Sequence, residues 1–268
     1  MPNPLRLAAV KGSFYPDKCE DVKRYFDSFN KEFEKHHIDK ELRSIKPRAI
    51  LVPHAGYIYS GFTANFAYRF LENAKAKRII VIGPSHRYAF KGVSASFYAA
   101  FETPCGNIEI DTPYLIALAK EFNIAFHEKA HLNEHSTEVQ MPFIQHYFPN
   151  ISIIELVYGE VSSEELVNII VTLLQNKDNL IVISSDLSHF YPLKEANSHD
   201  NICLSALSTL NSEALHKGCE ACGFTGIEAI IKAANKLQLL SKLLDYKTSA
   251  DASGDNKSVV GYLSAMFY

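Results

Sequence analysis

A chain of 268 residues is long enough for one large α/β domain, and 47% hydrophobic against 21% charged residues permits a full core. Nothing in the formal net charge of -3 predicts the concentrated positive surface that nucleic acid or an anionic membrane would need. No stretch approaches the roughly 20 apolar residues of a spanning helix, and the opening MPNPLRLAAVKGSFYP has no apolar run long enough for a signal peptide. The five cysteines are odd in number and irregularly spaced, which points to reduced thiols in a cytoplasmic protein rather than a secreted disulfide framework.

In chain order, the first strong element is the β-branched run Ala49–Val52. The span Phe62–Leu71 follows, with Phe62, Phe66, Ala67 and Phe70 on one helical face. Arg78–Ile82 is the second buried run, and Pro113–Phe122 the next amphipathic segment. His135–Phe148 has a helical stripe that Pro142 interrupts, so a first turn or a kink is expected there. Ile151–Val157 and Leu180–Ile183 are two more apolar strands, separated by the helical pattern of Glu164–Leu174. Phe224–Leu237 reads as a helix, and Leu243–Ser249 and Ser258–Phe267 as strands joined by the turn-forming SADASGDNK. Short, continuous apolar strands alternating with helices predict an α/β fold, a mainly parallel or mixed sheet flanked by helices. No linker, charge block or repeat divides the chain, so residues 1–268 read as a single domain.

Three of these strands end alike. ILVPH delivers His54, IIVIGPSH delivers His86, and IVISSDLSH delivers Asp186 and His189. In a parallel sheet those carboxyl ends share one edge, where ligands bind, so imidazoles distant in sequence can converge. Imidazole ligates zinc, iron, copper and nickel, and it is also an acid or base near neutral pH. Gly56 and Gly61 bracket Tyr57 and Tyr59, and Gly83 precedes Pro84-Ser85-His86, which allows sharp turns or close approach. Neither GxGxxG nor GxxxxGK[ST] occurs, so a nucleotide enzyme is not expected.

Cys219 and Cys222 form a C-x-x-C, which in isolation reads as zinc or redox chemistry or as two half-buried thiols. Cys222 is the stronger candidate because Gly-Phe-Thr-Gly opens a helix after it, and a helix N-terminus favours the metal-ligating thiolate. Glu134, His135 and Glu138 cluster ahead of the Pro142 helix, where carboxylates can orient a ligand histidine, bind substrate or simply start the helix. Asp186 has the same two-sided reading. The seven other histidines read as ordinary polar positions.

Taken in order, GSFYP (12–16), PHAGYIYSG (53–61), GPSH (83–86), ETPCGNIEID (102–111), EHSTEVQMPF (134–143), SSDLSH (184–189), CGFTGI (222–227) and TSADASGDNKSVVGY (248–262) cover almost the whole chain. This set resembles the Memo (mediator of cell motility) family, including the microbial B proteins of the AmmeMemoRadiSam system. The resemblance implies a fold similar to class III non-haem-iron extradiol dioxygenases. It also implies a metal site at His54, His86 and Cys222, with His189 close by. In those dioxygenases a carboxylate stands where Cys222 stands here. A thiolate is softer and itself oxidisable, so the fold analogy does not by itself imply ring cleavage.

Three functions follow. The first is a redox metalloprotein holding a divalent or redox ion, iron ahead of copper or zinc. In it His189, oriented by Asp186, moves protons or completes the metal's shell, and Tyr57, Glu134 and His135 contact a small molecule or peptide. The second is a non-catalytic module that binds a peptide, or a radical-SAM partner as the resemblance implies, through Tyr57, Tyr59, Phe14 and Tyr15. The third, metal-assisted hydrolysis, ranks last because cysteine ligation is unusual there.

Overall fold

The four apolar runs become neighbouring strands because each is buried along its length, apart from half-buried first residues Arg78 and Ser152, and so needs cover on both faces. A computed structural model of the protein describes residues 5–72 and 74–268; the first four residues of the opening segment lie outside it. In chain order the strands are β1 (Leu5–Arg6), β2 (Ala49–Val52), β3 (Arg78–Pro84), β4 (Val93–Ala95), β5 (Ala100–Thr103), β6 (Gly106–Glu109), β7 (Ser152–Tyr158), β8 (Asn179–Ser184), β9 (His189–Tyr191), β10 (Ser241–Thr248) and β11 (Val259–Phe267). Strands β2, β8, β3 and β7 lie side by side in parallel. Beyond β2 run β11 and β10, and beyond β7 runs β4, all antiparallel to their neighbours, while β9 pairs with the start of β11. The large sheet is therefore mixed, with a parallel centre and antiparallel margins. β1, β5 and β6 form a second, small mixed sheet.

The helices cover the parallel centre. Ser163–Gln175 and Phe224–Leu237 pack on each other and on β8, while Tyr57–Leu71 packs on β2, β10 and β11. Ser162 and Glu165 close a reciprocal capping box at the start of Ser163–Gln175. Asp111 caps Thr112–Phe122, which Asn123 ends in a left-handed conformation. The expected helix at Phe62 starts five residues earlier, at Tyr57, whose N–H is anchored on the Phe14 carbonyl (2.7 Å). Pro142 divides His135–Phe148 into two short helices, His135–Glu138 and Met141–Tyr147, and sits in the first turn of the second. Two long helices gave no clear sequence signal. Cys19–Phe33 buries only Val22, Phe26 and Phe33, and Leu193–Ser208 buries mainly small or polar residues, among them Ala196 and Asp200.

Four of the five cysteines depart from the reduced state expected of them. Cys19 is bonded to Cys105 and Cys203 to Cys219, leaving Cys222 free. The C-x-x-C is thus split between a structural bond and a thiol. The partners stand 86 and 16 residues apart, so only folding brings them together and spacing gave no warning. The argument for a reducing compartment from unpaired thiols falls with them. No helix among the described residues is long and apolar enough to cross a membrane.

The small sheet carries Arg6 into the interior, where it pairs with Glu138; neither side chain has any exposure. Arg6 Nη2 also donates to the carbonyls of His131 (2.6 Å) and Glu134 (2.8 Å). Glu138 accepts in addition from the N–H groups of Ala9 (2.9 Å) and Val10 (2.8 Å) and from the Tyr15 hydroxyl (2.8 Å). Removing one partner of such a pair leaves an uncompensated buried charge. Glu138→Ala is expected to lower unfolding stability by about 3–5 kcal/mol in urea titration; a loss under about 1 kcal/mol would show that the pair is not what fixes this corner.

Candidate metal centre

The three parallel strands that carry the expected site residues end in register. Val52 lies opposite Ser184, and Ile82 opposite Ile183. His54, His86 and Asp186 each stand two residues beyond a strand end, on the same edge of the sheet. Cys222 approaches from another direction, two residues before the helix Phe224–Leu237. Gly83 makes room for the segment that backs this edge: a Cβ there would lie 2.6 Å from Ser136 Oγ.

His54, His86 and Cys222 offer ligand atoms that all lie within 4.8 Å of one another. His54 Nε2 is 3.2 Å from Cys222 Sγ, and the two imidazole rings are 5.2 Å apart between centroids. His54 is buried, whereas the His86 side chain is 26% exposed, so the centre opens to solvent on the His86 side. A second group of mutually close donors joins His86, Glu134 and His135. There, however, the Glu134 carboxylate already accepts from His86 N–H (2.5 Å), His86 Nδ1 (2.8 Å) and Ser136 N–H (2.9 Å). That arrangement is a cradle orienting the His86 ring of the first group.

Electrostatics favour uncharged rings at His54 and His135. Burial, with the neighbouring His86 acting in the same direction, holds His54 down to about 3. Burial and His54 hold His135 down to about 4. Burial raises the Glu134 carboxyl, but the His86 side chain and the Ser136 and His86 N–H donors outweigh it and hold it at about 2. Cys222 departs from the expected helix-terminus effect: burial, then Asp186, push its thiol up to about 12, although the Asp186 N–H donates to Sγ at 3.3 Å. A cation at the centre would reverse this, because a coordinating thiol is deprotonated outright.

Residues 6–266 match the model of the family described as Memo-like protein. The chain belongs to the Memo-like family. It is 37% identical to a MEMO1 family protein of Aquifex aeolicus over 273 residues, spanning 98% of this chain and 99% of that one. It is 34% identical to a MEMO1 family protein of Saccharolobus islandicus over 280 residues, with 98% and 99% covered. Among solved structures it resembles an uncharacterised protein of Escherichia coli K12, with a TM-score of 0.53 at 12% identity, covering 82% of this chain and all of the other; that likeness concerns the fold alone.

In this Memo-like chain the remaining expected residues are distributed unevenly. His135, read as a substrate contact, is the third imidazole of the cluster, with ring centroids 4.5 Å from His86 and 5.3 Å from His54. His189 pairs with Val260 on β9, outside the mutually close donors, though near enough to act on the charge of His54 and Asp186. Asp186 Oδ1 accepts from the His54 N–H (2.8 Å) and Oδ2 lies 4.0 Å from His54 Nε2, so Asp186 serves His54. Tyr57 is turned into the core, its hydroxyl donating to the Val139 carbonyl (3.1 Å). Sequence reading passed over Ser184 and Gln140, both buried behind His54, although each lies inside a quoted motif. It also passed over His131, which lines up between Ser94 (2.8 Å) and Glu155 (3.0 Å) in the order of a hydrolytic triad. None of the three has any exposure, and Ser94 Oγ accepts from the His127 N–H, so this array is internal support.

The depressed imidazoles set a pH dependence. Folded His54 and His135 take up protons only near pH 3 and pH 4, against 6.5 when unperturbed, so the unfolded chain binds more protons below pH 6.5. Stability of the metal-free protein should therefore fall as pH drops below that value, by at most about 1.4 kcal/mol per pH unit for each imidazole. Asp186, raised by burial, offsets part of this in the acidic range. Melting temperatures of metal-free protein between about pH 7.5 and about pH 5 check it; a flat profile would mean that the folded imidazoles protonate as freely as the unfolded ones.

Proposed function

We propose that the protein is a metal-dependent redox protein that holds iron, or failing that copper, at His54, His86 and Cys222. The observation that carries this reading is the convergence of two strand-end imidazoles, His54 buried and His86 open to solvent, on a thiol whose burial favours the protonated form unless a cation joins it. Two nitrogens and one sulfur suit a borderline to soft transition ion better than magnesium or calcium. Such an ion supplies a one-electron couple to whatever binds beside it. Asp186 keeps a carboxyl against His54, and Glu134 holds the His86 ring by its Nδ1. His135 is the substrate contact: its ring faces both ligand imidazoles, and its Nδ1, 3.4 Å from Glu134 Oε1, forms no hydrogen bond. His189, on the strand beside the centre, gives or takes the proton.

A second reading, a module that docks a peptide or a radical-SAM partner, draws on Phe190. This residue is 76% exposed beside His189 and takes a left-handed backbone (φ 67°), a strained state for an aromatic residue. Capture of a partner that survives loss of the ligand residues would favour it.

Elemental analysis of untagged protein purified anaerobically, alongside His54→Ala and Cys222→Ser, separates the two. The redox reading expects about one iron or copper per chain in the wild type and a loss of at least about tenfold in both variants. Equal trace metal in all three would sink it.

A further inference from the structure

We infer that Ser184 is a positioning residue of the centre: it fixes the tautomer of His54, so that Nε2 and not an N–H faces the bound ion. The inference rests on the metal reading above and adds to it a residue outside the ligand set.

Ser184 ends β8 and is fully buried. Its Oγ has three polar neighbours: the Ser136 carbonyl at 2.6 Å, Gln140 Nε2 at 3.1 Å and His54 Nδ1 at 3.0 Å. A hydroxyl has one proton to donate and two lone pairs to accept with. The Ser136 carbonyl can only accept, so the hydroxyl proton goes there. Gln140 Nε2 can only donate, and the orientation of its amide is settled by Nε2 facing the Pro53 carbonyl at 2.9 Å while Oε1 accepts from the Tyr68 hydroxyl. Oγ is left to act toward His54 as an acceptor, and Nδ1 must therefore carry the hydrogen. A neutral imidazole has a single N–H, so the lone pair is on Nε2, the nitrogen 3.2 Å from Cys222 Sγ.

Glu134 acts on His86 in the same manner, because a carboxylate can only accept from Nδ1. The two ligand imidazoles thus present the same nitrogen through different devices, a buried carboxylate behind the partly exposed His86 and a neutral hydroxyl relay behind the buried His54. Without the hydroxyl, Nδ1–H has no acceptor in the buried pocket. The ring can then move its proton to Nε2, which removes the ligand lone pair.

The test combines two measurements. Cobalt(II) titration of wild type, Ser184→Ala and Ser184→Thr reads affinity and the thiolate-to-metal absorption band. Ser184→Ala should bind about 10–100-fold more weakly, keep the band at saturation, and be rescued by Ser184→Thr, which retains the hydroxyl. Unchanged affinity in Ser184→Ala, or an equal loss in Ser184→Thr, would overturn the assignment. Should either variant fail to fold, long-range proton–nitrogen correlation NMR of metal-free wild type decides: His54 protonated on Nδ1 supports the relay, and protonation on Nε2 refutes it. A wild type that takes up no cobalt defeats the metal reading instead, and the NMR outcome still judges Ser184.

Discussion

One buried stretch, Glu134–Gln140, holds the rest in place, because five of its polar side chains have no access to water and must find partners inside. Each reaches a different part of the fold. Glu134 holds His86, Ser136 Oγ donates to the Pro84 carbonyl, and Thr137 donates to Glu155 on β7. Glu138 gathers Arg6, Tyr15 and the backbone of Ala9 and Val10, while Gln140 donates to the Pro53 carbonyl and to Ser184. The N-terminal segment and the ends of β2, β3 and β8 are thereby tied to one short stretch of chain. An apolar segment could fill the same volume, but it could not set the rotation of two imidazole rings.

The chemistry of the centre follows from this support. A neutral imidazole as buried as His54 is a poor place for a proton and a good place for a cation, because burial penalises the charged ring while leaving its lone pair intact. The thiol of Cys222 obeys the same rule with the opposite sign: burial and the adjacent Asp186 keep it protonated until a cation compensates. Were a metal ion taken up here, its binding and the deprotonation of the thiol would be one event. Glu134 stands apart because three donors surround it, so its charge survives burial and orients rather than titrates.

The loop that presents Cys222 is itself held from several sides. Cys219 is bonded to Cys203, His199 Nδ1 contacts the Gly218 carbonyl (2.9 Å), and the Tyr191 hydroxyl donates to Glu220 (2.9 Å). Asp200 steadies the neighbouring strand end by accepting from the Ser188 N–H (3.0 Å), and it packs so closely on Gly261 that a Cβ there would lie 2.0 Å from its Oδ2. The helix Leu193–Ser208 thus braces both Cys222 and the segment before His189, although its sequence carries little apolar pattern.

Much of this was legible in the sequence. The central strands and the helix Phe224–Leu237 follow from apolar runs and helical spacing, which depend on residues a few positions apart. The strand-end rule places His54, His86 and Asp186 on one edge from the sequence alone, because parallel strands in one sheet share their carboxyl ends. Tertiary structure alone decided the roles. It put His135 beside the His54 and His86 rings and His189 on β9 against β11, turned Tyr57 into the core, and paired Cys219 with Cys203 rather than with its C-x-x-C neighbour. It also set Ser184 against His54 and reversed the expected acidity of Cys222. Those outcomes rest on which side chains meet across 16 to 130 residues and on how much water reaches them. Local spacing encodes neither, and packing settles both.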